Sequence, residues 1–440
     1  MTRARPDLHR PVLALALALA LCAVASVLTL RVGLNAWRRR IPLDATMPYD
    51  NTVMVDFRDT GYFPNLAVAA GVNPYDVPAY HQKFPGIQDL NAYAPWWLTV
   101  TRPLSELSWA QASALFALVT TLATTALMAH QGWLLARRTG FLSTSGAGST
   151  TSYAVIGAAA TVVLTWLSKP YSIALGLGNI SMVACAAASL ALVTRSVPLG
   201  AACVGLAWVK PQLGLPLVLF LAVLGRGRPA LVGTLLAATA SLPEIVMLSR
   251  GRGLLDLARS VLAGAGDVAG DQSAVLMQGR LDVAGMGSVV GLNAPSWVIA
   301  AAAIILLPAA ALLVRRQDAQ GQWVAARVTA SIAMLVTVPH YSYDIAVCLV
   351  PFGLLALHAW PGRGGGATSW SRRPAPLAVY GAFVALGAAT FFMPGVVFVH
   401  PPHQTAFMRA TFWLCALSAL TLVAYRARRS SEDVKAPSRA

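Results

Sequence analysis

Residues 197–225 read VPLGAACVGLAWVKPQLGLPLVLFLAVLG, which is two apolar runs joined by one lysine and one proline. Each run is too short for an ordinary membrane span, because a bilayer core about 30 Å thick takes about 20 helical residues. Pro211 also breaks a helix at this point. The stretch therefore predicts either a hairpin of two short helices or one broken helix that dips into the membrane. In the second case protein or water must cover the non-helical backbone.

Similar apolar runs fill the rest of the chain. Of the 440 residues, 57% are hydrophobic and 11% are charged, with a mean hydropathy of +0.62, whereas soluble domains carry about 25% charged residues. The sequence predicts an all-α, polytopic membrane protein with about twelve transmembrane helices. The runs lie at about 11–30, 109–135, 151–168, 172–194, 197–209, 211–225, 229–249, 296–314, 324–338, 345–359, 375–393 and 407–425.

The net charge of +16 follows the membrane topology. Positive residues stand in short clusters between apolar runs, whereas a nucleic-acid-binding face gathers them on one folded surface. Arginine is in excess on one side of the predicted membrane, so the positive-inside rule puts both termini in the cytoplasm of an inner-membrane protein. No nucleic-acid partner is expected, whereas membrane lipids are expected as partners.

The domain organisation is predicted to be simple. Residues 1–430 form one transmembrane domain, and residues 431–440 form a polar, disordered cytoplasmic tail. The first apolar run fits an uncleaved anchor, although a cleaved signal peptide remains an alternative. The five cysteines all lie inside apolar runs and none forms a CxxC pair, so neither a disulfide framework nor a zinc site is indicated.

Two long loops, at about 31–108 and 250–295, are predicted on the outer side, where long ordered loops usually carry function. The first contains amphipathic segments and several groups that can react or form hydrogen bonds. Asp56 lies between apolar residues, and a partly buried carboxylate is a stronger general base. Trp96 fits either a membrane interface or a wall for stacking sugars. The candidates in this loop are Asp56, Asp59, Tyr62, Asn73, Tyr75 and Trp96.

Three more candidates lie at or near membrane depth. A lysine in an apolar helix is costly, which makes Lys210 a candidate functional residue. His340 follows an apolar run and precedes Tyr341, close to Tyr343 and Asp344. Asn179 is an amide among small residues, and it fits either a substrate-binding role or helix–helix packing.

Five segments, taken in order, resemble the GT87 glycosyltransferases, bacterial membrane enzymes that include polyprenol-phosphate-mannose-dependent α-1,2-mannosyltransferases. The strongest motifs are Gly-x-Asn-Pro-Tyr at Gly71–Tyr75 and the Lys-Pro hairpin. The resemblance covers about residues 50–360. The segments are VDFRDTGYFPNLAVAAGVNPYD, YAPWWLTVTRPL, LGNISMVACA, LAWVKPQLGLPLVLFLAVLGRGR and VPHYSYDIAVCLVP.

The resemblance implies a GT-C fold and transfer of a sugar from a polyprenyl-phosphate donor to a glycolipid or glycan acceptor at the outer leaflet. Mannose is the first expectation, and a pentose such as arabinose is the second. Asp56 matches the base of the family, and His340 and Lys210 match two further positions. Asp59 leaves the choice of base open. The family often has Gly-Gln where Gly178-Asn179 stand.

The first outer loop has no Asp-x-Asp pair, so no metal and no other cofactor is expected. A polyprenyl-phosphate leaving group needs cationic or hydrogen-bonding support, which a lysine and a histidine can supply. The alternative is a transporter or flippase of a lipid-linked saccharide. Transporters tend to show internal repeats and ionisable groups near the midplane, whereas no repeat is evident here and most acidic residues fall in outer loops.

Overall fold

The computed structural model describes residues 9–38, 54–84, 93–139, 150–250, 253–261, 280–282, 285, 287, 296–338, 340–359, 374–393 and 401–435. The described chain is all-helical, as predicted, and the one extended pairing recorded in it is an isolated bridge between Arg280 and Tyr341. The second predicted outer loop, at 250–295, lies largely outside the described residues, as does the end of the tail beyond residue 435.

The helices follow the apolar runs closely. Segment α2 is continuous through Val55–Phe57, a π-helical turn at Arg58–Tyr62, and Phe63–Ala69. The others are α1 His9–Arg38, α3 Val77–Lys83, α4 Trp96–Ser105, α5 Trp109–Thr139, α6 Thr150–Leu167, α7 Lys169–Leu177, α8 Ser181–Val193, α9 Val197–Ala207, α10 Pro211–Val223, α11 Gly227–Leu248, α12 Ser296–Ala319, α13 Trp323–Val336, α14 Leu349–Ala359 with a preceding 3₁₀ turn Ser342–Cys348, α15 Pro374–Phe392 and α16 Pro401–Lys435.

Several helices are suited to a bilayer. Within the described residues, four helices are long and apolar enough to cross a bilayer. They are Trp109–Arg138, Gly227–Leu248, Ser342–Ala359 and Ala406–Tyr425, and the bent pair α6–α7 makes a fifth if it is counted as one span. Leu231, Leu235 and Ile304 are among many large apolar side chains that point outward. Such wide apolar exposure indicates a lipid-facing surface, so the chain is a membrane protein.

The Lys-Pro hairpin forms as two short helices. Val197–Ala207 and Pro211–Val223 pack against each other, and Lys210 between them has an extended backbone with φ −112° and ψ 98°. The predicted break at Lys210-Pro211, with a short helix on each side, is therefore confirmed. Pro211 begins the second helix, where its missing N–H costs no hydrogen bond.

The run predicted at 172–194 is interrupted, which corrects the prediction of one helix. Gly178 ends α7 in the left-handed conformation, with φ 68°, and α8 begins three residues later at Ser181. Helix α7 is also bent by 63° from α6. Hydropathy alone could not show this break, because the segments before Gly178 and after Ser181 are both apolar.

Helix α8 is the centre of the bundle. All 13 of its residues are buried, and seven of them are alanine or serine, which let neighbouring helices approach closely. It contacts α5, α9, α10 and the 3₁₀ turn Ser342–Cys348. Its two ends therefore bring together residues from distant parts of the sequence, and both ends carry polar clusters.

The described part of the first predicted outer loop is largely helical. Segment α2 and helices α3 and α4 occupy much of it, in agreement with the predicted amphipathic segments. Phe57 anchors it by stacking on Phe116, with ring centroids 4.2 Å apart, and on Trp109 at 5.8 Å. At the other end of the chain, α16 continues to Lys435.

Candidate active site

Asp56 lies in the first turn of α2, fully buried. The segment is held in place because the Met54 N–H donates to the Gly176 carbonyl at 2.8 Å. Asn179 Nδ2 donates to Asp56 Oδ2 at 2.5 Å. The break between α7 and α8 thus brings an amide directly against the candidate base.

The side chain of Asn179 is held by four hydrogen bonds. Its Oδ1 accepts from the Ser181 backbone N–H at 2.8 Å and from Ser181 Oγ at 2.6 Å. Its Nδ2 donates both to Asp56 and to the Tyr343 hydroxyl, the latter at 3.1 Å. An amide with its oxygen and nitrogen both engaged has one orientation, so Asn179 orients the Asp56 carboxylate rather than serving as general packing.

A second group of charged side chains lies on the other side of Tyr343. Lys210 Nζ is 3.3 Å from Asp344 Oδ1, and His340 Nδ1 is 3.0 Å from Asp344 Oδ2. All three side chains are buried. A buried lysine is tolerated when a carboxylate compensates its charge, and Asp344 supplies that compensation for Lys210.

The His340 ring faces two acceptors. Its Nδ1 meets the Asp344 carboxylate, and its Nε2 lies 3.2 Å from the Gln212 carbonyl oxygen. The imidazole ring is therefore held between a carboxylate and a backbone carbonyl, and Lys210 and His340 share the single carboxylate of Asp344.

Two tyrosines link these groups. The Tyr343 ring lies 5.0 Å from Lys210 Nζ, and the Tyr93 ring lies 5.9 Å from it. Burial raises the pKa of the Tyr93 phenol well above its usual value, and the Asp56 and Asp344 carboxylates raise it further. Tyr93 therefore stays protonated, and it lies near enough to both carboxylates for each to raise its pKa. Tyr341 stacks on Tyr343 at 5.7 Å.

Asp59 is placed differently from Asp56. Its Oδ1 is 2.6 Å from Arg58 Nε, and both side chains are buried. Arg58 also lies over the Phe63 ring at 5.5 Å. The Asp59 carboxylate is therefore engaged in an ion pair with a neighbouring guanidinium.

The other predicted residues of the first loop surround the cluster. Tyr75 donates its hydroxyl to the Tyr93 carbonyl at 3.1 Å, and Asn73 Oδ1 accepts from the Tyr75 N–H at 3.0 Å. Tyr62 donates to the Leu107 carbonyl at 2.8 Å. The Trp96 backbone N–H donates to Ser241 Oγ at 3.2 Å. The contacts of these residues position the loop instead of joining the Asp56 cluster.

Glu244 joins the first predicted outer loop to α11 through an ion pair. Glu244 is buried near the end of α11 and forms an ion pair with Arg102 of α4. Thr99 Oγ1 donates to the same carboxylate oxygen at 3.4 Å. The ion pair ties α4 to α11 beside the cluster.

Asp344, Tyr343 and Tyr93 are the main members of the cluster that sequence reasoning did not select. Asp344 and Tyr343 were visible as neighbours of His340, but nothing in the sequence linked them to Lys210. One signal could have done so, because a lysine at membrane depth requires a counter-ion. Among the described residues, no three His, Cys, Asp or Glu side chains form a group that could hold a metal ion.

The chain belongs to glycosyltransferase family 87, which it matches over residues 91–339, more than half of its length. It is therefore a membrane glycosyltransferase. No curated protein and no solved structure matches the chain. The family match contains Asn179 and Lys210, and the fold brings Asp56 and His340, which lie outside it, to these two residues.

Gly178→Ala is expected to disturb the site through Asp56. A methyl group at residue 178 would lie 2.9 Å from Phe57 Cβ and 3.0 Å from Met54 Cα, and the residue has φ +68°. The left-handed backbone alone costs roughly 1–2 kcal/mol with a side chain. We expect a lower melting temperature together with lower activity per folded molecule, both measured on purified protein.

Gly176→Ala is the matched control, because nothing lies within 4 Å of a methyl group there. This variant is expected to keep both stability and activity. If Gly178→Ala behaves like Gly176→Ala, then the contact between the α7–α8 break and the Asp56 segment is not tight.

Proposed function

We propose that this protein transfers a sugar, with mannose the first candidate, from a polyprenyl-phosphate donor to a hydroxyl of a glycolipid or glycan acceptor. The reaction takes place at the outer face of the inner membrane, in a GT-C bundle of about twelve spans with both termini in the cytoplasm. The observation that supports it best is the placement of a buried carboxylate, Asp56, close to the buried group of Lys210, Asp344 and His340.

Asp56 suits activation of the acceptor hydroxyl, and Lys210 with His340 suits departure of the phosphate. Asp56 takes the proton of the acceptor hydroxyl as its oxygen attacks the anomeric carbon of the donor sugar. The bond between that carbon and the phosphate oxygen breaks, and its electron pair leaves with the polyprenyl phosphate. Lys210 and His340 stabilise the negative charge that develops on the phosphate. The scheme uses no metal and no other cofactor.

A donor comparison tests the proposal. Purified protein in lipid nanodiscs, with membrane glycolipids as acceptor, is given radiolabelled polyprenyl-phosphate mannose, polyprenyl-phosphate arabinose or a nucleotide sugar, each with and without EDTA. We expect labelled glycolipid from the mannose donor in both conditions. Transfer only from polyprenyl-phosphate arabinose would reassign the transferred sugar to arabinose. Transfer only from the nucleotide sugar would overturn the proposal of a polyprenyl-phosphate donor. Movement of an intact lipid-linked saccharide across liposomes without transfer would indicate a flippase.

His340→Ala is expected to lower kcat by about 10²-fold, the usual effect of removing one donor that stabilises transition-state charge. The matched control is His130→Ala, because His130 is exposed and stacks only on Trp133 among the contacts recorded for it. Melting temperatures of both variants separate folding from turnover. If His340→Ala lowers the melting temperature but keeps full turnover of the intact protein, then His340 is structural.

A further inference from the structure

The C-terminal end of α8 carries a second polar cluster. Three consecutive carbonyls there accept hydrogen bonds from arginines of three other elements. Arg226 Nη1 donates to the Ala191 carbonyl at 2.5 Å, Arg327 Nε donates to Leu192 at 3.3 Å, and Arg138 donates to Val193. Arg195, two residues beyond α8, adds a fourth positive charge. These four side chains are called the arginine cluster below.

Capping of a helix end explains only part of this arrangement. A helix C-terminus is equivalent to about half a negative charge, whereas the arginine cluster brings four positive charges. Asp318 pairs with Arg327, and it is the one carboxylate in the described part of the chain that forms an ion pair with the cluster. The cluster therefore holds a large excess of positive charge.

Arg226 shows that the cluster also has an unused donor. Its Nη2 is buried and makes no hydrogen bond with the described residues. Burial, together with the nearby Arg327 and Arg138, lowers the pKa of Arg226 to about 10. A buried guanidinium nitrogen among other arginines is unfavourable unless an anion approaches it.

The arginine cluster is separate from the candidate active site. The active site gathers at the N-terminal end of α8, where Asn179 and Ser181 lie, and the cluster gathers at the opposite end. A helix of 13 residues is about 20 Å long, so the two lie on opposite sides of the bundle. The cluster is on the side that the positive-inside rule assigns to the cytoplasm.

We propose that the arginine cluster binds a phosphate group, supplied by the headgroup of an anionic phospholipid in the cytoplasmic leaflet. Arginine binds phosphate through paired N–H donors, and basic pockets between transmembrane helices on the cytoplasmic side bind anionic lipid headgroups. Arg138 and Arg195 are exposed and Arg226 is half-buried, so a headgroup can reach them from the membrane surface. The lipid would neutralise the cluster and hold α5, α8, α11 and α13 together at this end.

The test measures the melting temperature of delipidated protein in detergent as phosphatidylglycerol, phosphatidylcholine or inorganic phosphate is added. We expect phosphatidylglycerol to raise the melting temperature by several degrees, because a ligand that binds only the folded state stabilises it. Phosphatidylcholine should have little effect. An equal shift with inorganic phosphate would overturn the assignment to a lipid, and an equal shift with phosphatidylcholine would overturn the phosphate site altogether.

Two variants connect the shift to the arginine cluster. Arg226→Gln removes the unused donor but also a bond to α8. Arg195→Gln removes only an exposed charge, since Arg195 makes no hydrogen bond within the described part of the chain, and it should fold normally. Both should lose at least half of the shift with phosphatidylglycerol. Arg228→Gln, exposed and outside the cluster, should keep it. If Arg195→Gln and Arg226→Gln respond like wild type, the proposal is wrong.

Discussion

Replacing Asp56 with asparagine is expected to lower the transfer rate by about 10²- to 10⁴-fold, the usual contribution of general acid–base catalysis. The replacement keeps the shape of the side chain but removes its capacity to take the proton from the hydroxyl of the acceptor substrate. Asn179 lies 2.5 Å from the carboxylate, and an amide at residue 56 can still accept a hydrogen bond from it. The rate is measured as kcat with saturating donor and acceptor, on protein whose melting temperature is close to that of wild type.

Asp59→Asn is the matched control for this prediction. Asp59 is paired with Arg58 at 2.6 Å, so its loss should affect stability more than the chemical step. The assignment passes to Asp59 if Asp59→Asn abolishes turnover in folded protein and Asp56→Asn keeps near-full activity.

Replacing Asp344 with asparagine is expected to destabilise the protein by about 3–5 kcal/mol, the usual cost of leaving a buried ion pair without one partner. Lys210 and His340 both depend on this carboxylate, and all three side chains are buried. The destabilisation appears as a lower melting temperature and a lower denaturant midpoint.

The double variant Lys210→Met with Asp344→Asn supplies the control. Removing both charges should recover part of the stability, because the remaining uncompensated charge is smaller, and the coupling energy follows from a double-mutant cycle. Lys210→Met alone should raise the KM for the polyprenyl-phosphate donor or lower kcat, with the acceptor KM little changed. Additive effects on stability would mean that Lys210 and Asp344 are not coupled, and unchanged donor kinetics would remove Lys210 from the site.

The sequence predicts the helical membrane fold well, because its signals are local. The length of each apolar run and the proline after Lys210 are enough to predict the short helices at 197–207 and 211–223. The break at Gly178 is not predictable in the same way. The segments before Gly178 and after Ser181 are both apolar, and the need for glycine there arises from the close approach of Met54 and Phe57, which are more than 100 residues away.

The candidate site is likewise predictable from the sequence only in part. The cost of a charged or polar group in an apolar segment singles out Asp56, Lys210, His340 and Asn179 from the sequence. Their pairing depends on tertiary contacts, such as the hydrogen bond from Asn179 to Asp56, which spans 123 residues, and the ion pair from Lys210 to Asp344, which spans 134. The choice between Asp56 and Asp59 likewise depends on which carboxylate Arg58 neutralises, and spacing alone does not decide this.

The most direct test of the proposed chemistry is an experimental structure of the Asp56→Asn protein with polyprenyl-phosphate mannose bound. The variant should bind the donor without consuming it. We predict that the donor phosphate lies against Lys210 and His340, and that the anomeric carbon of the sugar faces residue 56 across a gap wide enough for an acceptor hydroxyl. A donor whose phosphate lies beside Arg58, with its sugar facing Asp59 and away from residue 56, would contradict the proposed active site.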